Sequence, residues 1–145
     1  MFLTGLVTIG LFSVSCSKDE MNERNLEGKW QSTKFVYEEY EAGKLVTERS
    51  QTCIDWYLGF NFKSDGTGQY ISYEEGDSYT CQLTWVIMGD KLMVTLVYTG
   101  DEESDTLTFN IVEIASSSMT LSQVDEYTSD GVKCKDVATY YFKKI

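Results

Sequence analysis

Between Asp55 and Tyr98 apolar and polar residues alternate through four successive stretches, DWYLGFNF, GQYISY, TCQLTWVI and KLMVTLVY, separated by SDGT, EEGD and MGDK. A period of two marks strands with one buried face, and the Gly- and Asp-bearing breaks are hairpin turns. Trp56, Leu58, Phe60 and Phe62 form one buried row; Cys81, Leu83, Trp85 and Ile87 form another; Leu92, Val94, Leu96 and Tyr98 form a third. Further strands follow around Leu107–Ile111, Met119–Val124 and Val137–Phe142, and Lys29–Tyr40 supplies the first. Neighbours joined by hairpins give an up-and-down order, and such a sheet removes its exposed edges by closing. The pattern predicts an all-β fold, an eight-stranded antiparallel up-and-down β-barrel spanning residues 26–145. Leu45–Thr52 reads either as a short strand or as a lid across the barrel mouth, and no segment shows a helical period.

Strand parity divides the turns between two ends. The turns at 64–67, 88–91 and 115–118 share the near end and are short. The segments at 74–78, 99–105 and 127–133 share the far end and read as longer loops, two of them rich in acid. The far rim therefore carries Glu74, Glu75, Asp77, Asp101, Glu102, Glu103 and Asp105. Barrel mouths and loops on rigid scaffolds are where ligands usually bind. Tyr73, Tyr79, Tyr98 and Tyr127 fall near this rim, and Trp56 and Trp85 point inside; these six are the candidate ligand-binding residues, suited to a small molecule, a glycan or a protein. An eight-stranded barrel is either filled by its own side chains or holds one small ligand, and the many large inward rings favour a filled interior.

The formal net charge of −11 repels phosphate backbones, so no nucleic-acid partner is expected. The chain contains no His, which removes the commonest general base and metal ligand. Most carboxylates stand in turns, with only Asp55 and Asp136 embedded near strands, so no enzyme, cofactor or metal is expected.

Residues 1–15 are apolar or small and end at Cys16. They are too few to span a bilayer as a helix and fit a signal peptide. Ser13-Val14-Ser15-Cys16 resembles a bacterial lipobox, which implies lipidation of Cys16, attachment to the outer membrane and cleavage after Ser15. Ser17-Lys18-Asp19-Glu20 resembles the surface-export signal of Bacteroidota lipoproteins, which implies a cell-surface location. Residues 16–25, polar and unpatterned, read as a flexible tether.

Gly28-Lys29-Trp30, the Gly43-Lys44 turn, Cys53 before an aromatic strand, Phe62-x-x-Asp65-Gly66-x-Gly68 and the Lys143-Lys144 ending together resemble the lipocalin-like domain lipoproteins of Bacteroidota. The resemblance implies that Trp30, set by Gly28, plugs the closed end and that a terminal-strand cation, Lys143, lies over its ring. With Cys16 lipidated, Cys53, Cys81 and Cys134 remain, an odd number. The resemblance implies a Cys53–Cys81 disulfide, with Cys53–Cys134 as the alternative.

Overall fold

The protein is described by a computed structural model covering residues 17–100 and 103–145. The leader, Cys16, Asp101 and Glu102 lie outside the described residues. One helix is followed by nine strands: α1 (Lys18–Leu26), β1 (Gly28–Glu41), β2 (Lys44–Thr52), β3 (Trp56–Phe62), β4 (Thr67–Glu74), β5 (Asp77–Met88), β6 (Lys91–Val97), β7 (Ser104–Ile114), β8 (Ser118–Ser129) and β9 (Val132–Lys144). The antiparallel order is β2-β1-β3-β4-β5-β6-β7-β8-β9, and pairing of β1 with β9 closes an eight-stranded barrel from which β2 is left out. The period-two reading therefore holds for the barrel, with one strand added.

β1 serves two partners on one edge. Gly28–Gln31 pair with β3, whereas Lys34–Glu41 pair with β2. Residues 44–52 are thus a strand and not a lid over the mouth. Beyond the barrel, β2, β1, β9 and β8 continue as a four-stranded sheet extension with no second layer behind it. The hairpins that tip it are tight. Ala42-Gly43 and Asp130-Gly131 have positive φ at both positions, as does Glu75-Gly76 between β4 and β5, the conformation of two-residue turns matched to strand twist. Two of the three far-end loops expected to be long are therefore two-residue turns. β8 and β9 run on instead, through polar residues that carry no alternation.

Residues 18–26 are helical, correcting the expected flexible tether. Ser17 caps the helix by accepting from the Glu20 backbone N–H at 3.2 Å, Asp19 and Glu20 lie in its first turn and Arg24 in its last, favourable placements against the helix dipole. Ser17-x-x-Glu20 has the capping-box spacing, the signal that could have revealed α1. The helix docks on the near end of the barrel: Asp19 Oδ2 accepts from Gly89 N at 3.4 Å, and Asn25 Nδ2 donates to the Ile114 carbonyl at 3.4 Å. Leu26 is fully buried there. α1 thus closes the base.

Trp30 is buried above Leu26, and its Nε1 donates to the Leu26 carbonyl at 2.7 Å. The cation over its ring is Lys144, 4.8 Å from the centroid, and not Lys143. Phe142 faces inward, so alternation turns Lys144 in and Lys143 out; Lys143 pairs with Gln31 on the outer face. Lys144 Nζ also donates to the carbonyls of Asn25 and Glu27 at 2.9 and 2.8 Å. Gly28 makes room, because its φ is +124° and a Cβ there would sit 3.3 Å from Lys144 Cε.

The core above this plug is aromatic. Phe60 lies 5.1 Å from Phe62, 5.7 Å from Tyr70 and Phe142, and 6.2 Å from Phe109. Leu83, Leu92, Val94, Met119 and Leu121 fill the gaps and are almost fully buried. Side chains pack the interior around Phe60.

Lys144→Ala should destabilise the fold by about 1–2 kcal/mol, through the lost cation–π contact and two carbonyl bonds. Lys143→Ala should change it by less than about 0.5 kcal/mol. Paired urea titrations decide between them.

Candidate functional site

The six candidate residues do not converge on one place. Trp85 is at the closed base: its ring stands edge-on to Phe62 at 6.0 Å, its backbone N donates to the Gly66 carbonyl and its Nε1 donates to the Lys63 carbonyl at 3.0 Å. Tyr73 is on the outer wall, stacked on Tyr57 at 5.1 Å with 16° between planes. The pair is in register on β3 and β4 at positions alternating with the core row. Trp56 faces the mouth and meets Phe35 edge-on at 6.2 Å.

Tyr79 and Tyr98 do share the open rim. The Tyr98 hydroxyl donates to Asp105 Oδ2 at 3.0 Å, and that carboxylate beside it pushes the Tyr98 pKa up to about 12. Cys81 lies below them, buried and in register with Tyr70; desolvation raises its pKa, so the thiol stays protonated.

The Cys53–Cys81 disulfide is not formed, and Cys53, Cys81 and Cys134 are all free thiols. Cys53 sits at the β1 edge, its N donating to the Thr33 carbonyl and its sulfur 3.5 Å from Ser32 Oγ. Cys81 is on β5, and at least two inter-strand steps, about 10 Å, separate them around the wall. A disulfide needs Cα atoms within roughly 7 Å. Cys134 is on the sheet extension near Tyr127, which also removes the Cys53–Cys134 alternative.

One group of polar side chains was not brought together by the sequence reading, which placed most acids in turns and only Asp55 and Asp136 near strands. It lies on the inner face of the extension. Asp125 on β8 is directly opposite Asp136 on β9, and Asp136 is directly opposite Glu39 on β1. Three carboxylates thus stand side by side across three strands. Like charges directly opposite each other in a sheet are destabilising. Tyr127 partly offsets this: its hydroxyl donates to Asp136 Oδ1 at 3.4 Å. Tyr37 stands beside Asp136 from the adjacent row, and that carboxylate pushes the Tyr37 pKa up to about 12. Arg49 on β2 is in register with Tyr37 and brings one positive charge to this face.

β8 pairs with β7 only as far as Asn110–Ser122 and then leaves it. The parting opens a cleft of about 540 Å³ lined by Tyr37, Gln123, Asp125 and Asp136 on one side and by Thr108 and Asn110 on the other. Lys91, hydrogen-bonded through Nζ to Asn110 Oδ1, closes one end. A second cleft of about 350 Å³ lies at the hairpin tips around Tyr40, Tyr127 and Lys135. There Lys135 Nζ covers the Tyr40 ring at 4.5 Å, so part of its polar chemistry is already satisfied. The larger cleft is the one where unlike polar groups converge from several strands. Among the described residues no cluster of His, Cys, Asp or Glu has the geometry to hold a metal ion.

The closed eight-stranded barrel and its base plug define a lipocalin-like fold. The family profile described as a lipocalin-like domain matches residues 26–121, and the chain belongs to that family. Its fold is similar to the crystal structure of a lipocalin-like protein from Bacteroides uniformis, with TM-score 0.52, 20% identity, and coverage of 83% of this chain and 99% of that one. It is also similar to that of an uncharacterized protein from Bacteroides eggerthii, with TM-score 0.50, 18% identity, and coverage of 82% and 98%. A search of curated proteins found no match.

Tyrosine ionisation checks the electrostatics of the open end. Followed by absorbance at 295 nm, Tyr37 and Tyr98 should titrate near pH 12, and Asp136→Asn and Asp105→Asn should each bring one of them back toward 10. Both folded pKa values lie above the unfolded value of about 10. Their contribution to stability is therefore complete below pH 10 and is lost as pH rises toward 12.

Proposed function

We propose that this is a lipid-anchored, non-enzymatic binding protein of the outer membrane surface, and that it takes its ligand outside the lumen, in the cleft where β8 leaves β7. The observation that carries this reading is the ring packing around Phe60. With Phe60 in contact with four other rings, a ligand inside would have to displace close-packed side chains. The cleft offers an open volume of about 540 Å³ lined by polar groups from several strands. The carboxylate row of Asp125, Asp136 and Glu39 favours a small organic cation. Gln123, Asn110 and Thr108 supply hydrogen bonds to fix its orientation.

The anchor reading rests on Cys16 and on α1. The helix begins just after that cysteine and lies on the closed base. Lipid at Cys16 would set the base toward the membrane and the open end away from it.

A second reading, a protein-recognition module with no small ligand, is favoured by one further observation. β2 pairs on one edge only, and its residues Lys44–Thr52 are exposed on both faces. Such an edge can accept a strand from a partner.

Calorimetric titration with spermidine should give saturable binding that Asp125→Asn with Asp136→Asn weakens at least about tenfold, or about 1.4 kcal/mol. A fluorescent fatty acid should not bind. Stoichiometric fatty-acid uptake that survives the double substitution would return the site to the lumen. Recovery of a stoichiometric protein from intact cells, with no spermidine binding, would favour the second reading. Cys16→Ser should abolish incorporation of labelled palmitate and release the protein from the membrane fraction; retention of the label would remove the anchor.

A further inference from the structure

We infer that the outer wall formed by β3 to β7 is a docking platform for a neutral glycan chain. The wall is set apart by its charge. On β3, β4, β5 and β6, and on β7 as far as Asn110, the outward positions are Tyr, Thr, Gln, Asn, Ser, Gly and single apolar residues. Lys91, at the base edge and bonded to Asn110, is the one charged side chain among them. Charged residues make up 24% of the chain, and its net charge is −11. Elsewhere the outward face includes charged residues, such as Lys34 and Glu38 on β1 or Lys133 and Lys135 on β9. A face that only had to stay soluble would carry mixed charges. This one has lost them across five adjacent strands.

What replaces charge is chemistry suited to hydroxyl groups. Asn61 and Gln69 are in register on β3 and β4, and Gln82 stands opposite Gln69 on β5. Their amides each donate and accept, as sugar hydroxyls do. Next to them Tyr57 and Tyr73 are stacked on each other. Rings that pack together hold one another's orientation, so less side-chain freedom is lost when a ligand settles against them. Between the rings and the amides is a cleft of about 230 Å³ bordered by Gln31, Ile71 and Lys29. Gly59 forms its floor: a Cβ there would sit 3.3 Å from the Trp30 carbonyl oxygen and 3.4 Å from Ile71 Cβ. The missing side chain is what opens the cleft.

Charge complementarity selects the occupant. With ions only at its borders, Lys91 at the base edge and Lys29 beside the cleft, the wall gives a polyanion or polycation little to pair with, and Tyr with a polar tip and apolar body suits a partner that is hydroxylated on its rim and apolar on its ring face. The cleft beside Tyr57 shares no lining residue with the cleft between β7 and β8, so either can fail without the other.

Native gels cast with soluble neutral polysaccharides (a mannan, a xylan, a β-glucan and an α-glucan) test the assignment on the full chain. At least one should retard the protein, equally at low and high salt. Tyr57→Ala and Tyr73→Ala should each weaken the retardation about tenfold, an effect of about 1.4 kcal/mol. Gln69→Arg, a surface change that leaves the core rings in place, should do the same while the thermal melt is preserved. No retardation by any of the four would overturn the inference. So would retardation that all three variants retain, or a Tyr73-dependent dimer in sedimentation, which would assign the wall to a second copy of the chain.

Discussion

Phe60 is the side chain on which the architecture turns. It stands on β3 and meets rings from β4, β7 and β9 as well as its own neighbour Phe62. One residue thus ties opposite walls together through the middle of the barrel. Burial of each such ring stabilises by roughly 1.5–3 kcal/mol, and an eight-stranded barrel has an interior that side chains can just fill. The rings that stabilise the fold are therefore the same ones that occupy the interior around Phe60. Trp30, Leu26 and Lys144 complete it at the base, where helix, strand and terminal cation share two backbone carbonyls and one indole ring.

The sheet extension obeys different physics. It has no opposing layer, so hydrophobic burial cannot hold it. Its stability comes from the ladders among β2, β1, β9 and β8, from two-residue hairpins, and from outer-face contacts such as Lys34 over Tyr141 and Lys135 over Tyr40. Against these stands the row of Asp125, Asp136 and Glu39. The row is an internal cost that tyrosine hydroxyls offset in part and a bound cation would offset further. A surface evolved for stability alone would not align three carboxylates in register.

The barrel was legible because each of its strands buries one face, and burial forces alternation. Phe62, Leu83, Val94 and Phe142 could be placed from period two alone. Where that force was absent the reading failed. β8 continues past Val124 through residues exposed on both faces, and β9 begins before Val137 with mostly polar residues of which only Cys134 is buried, so no apolar alternation marked them as strands. α1 buries little beyond Leu26 and shows no apolar stripe; only its cap betrayed it. Lys144 and not Lys143 over Trp30 followed from the parity already used for Phe142. Trp85 was taken as a candidate ligand-binding residue because it points inward, yet parity says nothing of depth, and its bonds to Lys63 and Gly66 hold it at the base. The cysteine pairing came from resemblance, and local geometry at Cys53 does not support it. The carboxylate row needed the β8–β9–β1 register, which no sequence period encodes.

Charge distribution then limits what the surfaces can do together. The base is consumed by α1, leaving the open end and the outer wall for recognition. One is crowded with carboxylates; the other has almost no ions. Attraction to the first falls with added salt, because exposed charges are screened over about 8–10 Å. Contacts on the second do not depend on Coulomb forces and survive the same salt. A single homogeneous ligand cannot satisfy both faces, since whatever compensates Asp125 and Asp136 finds no counter-charge on Gln69 or Tyr73. The carboxylate row and the uncharged outer wall therefore give one small barrel two chemically different surfaces.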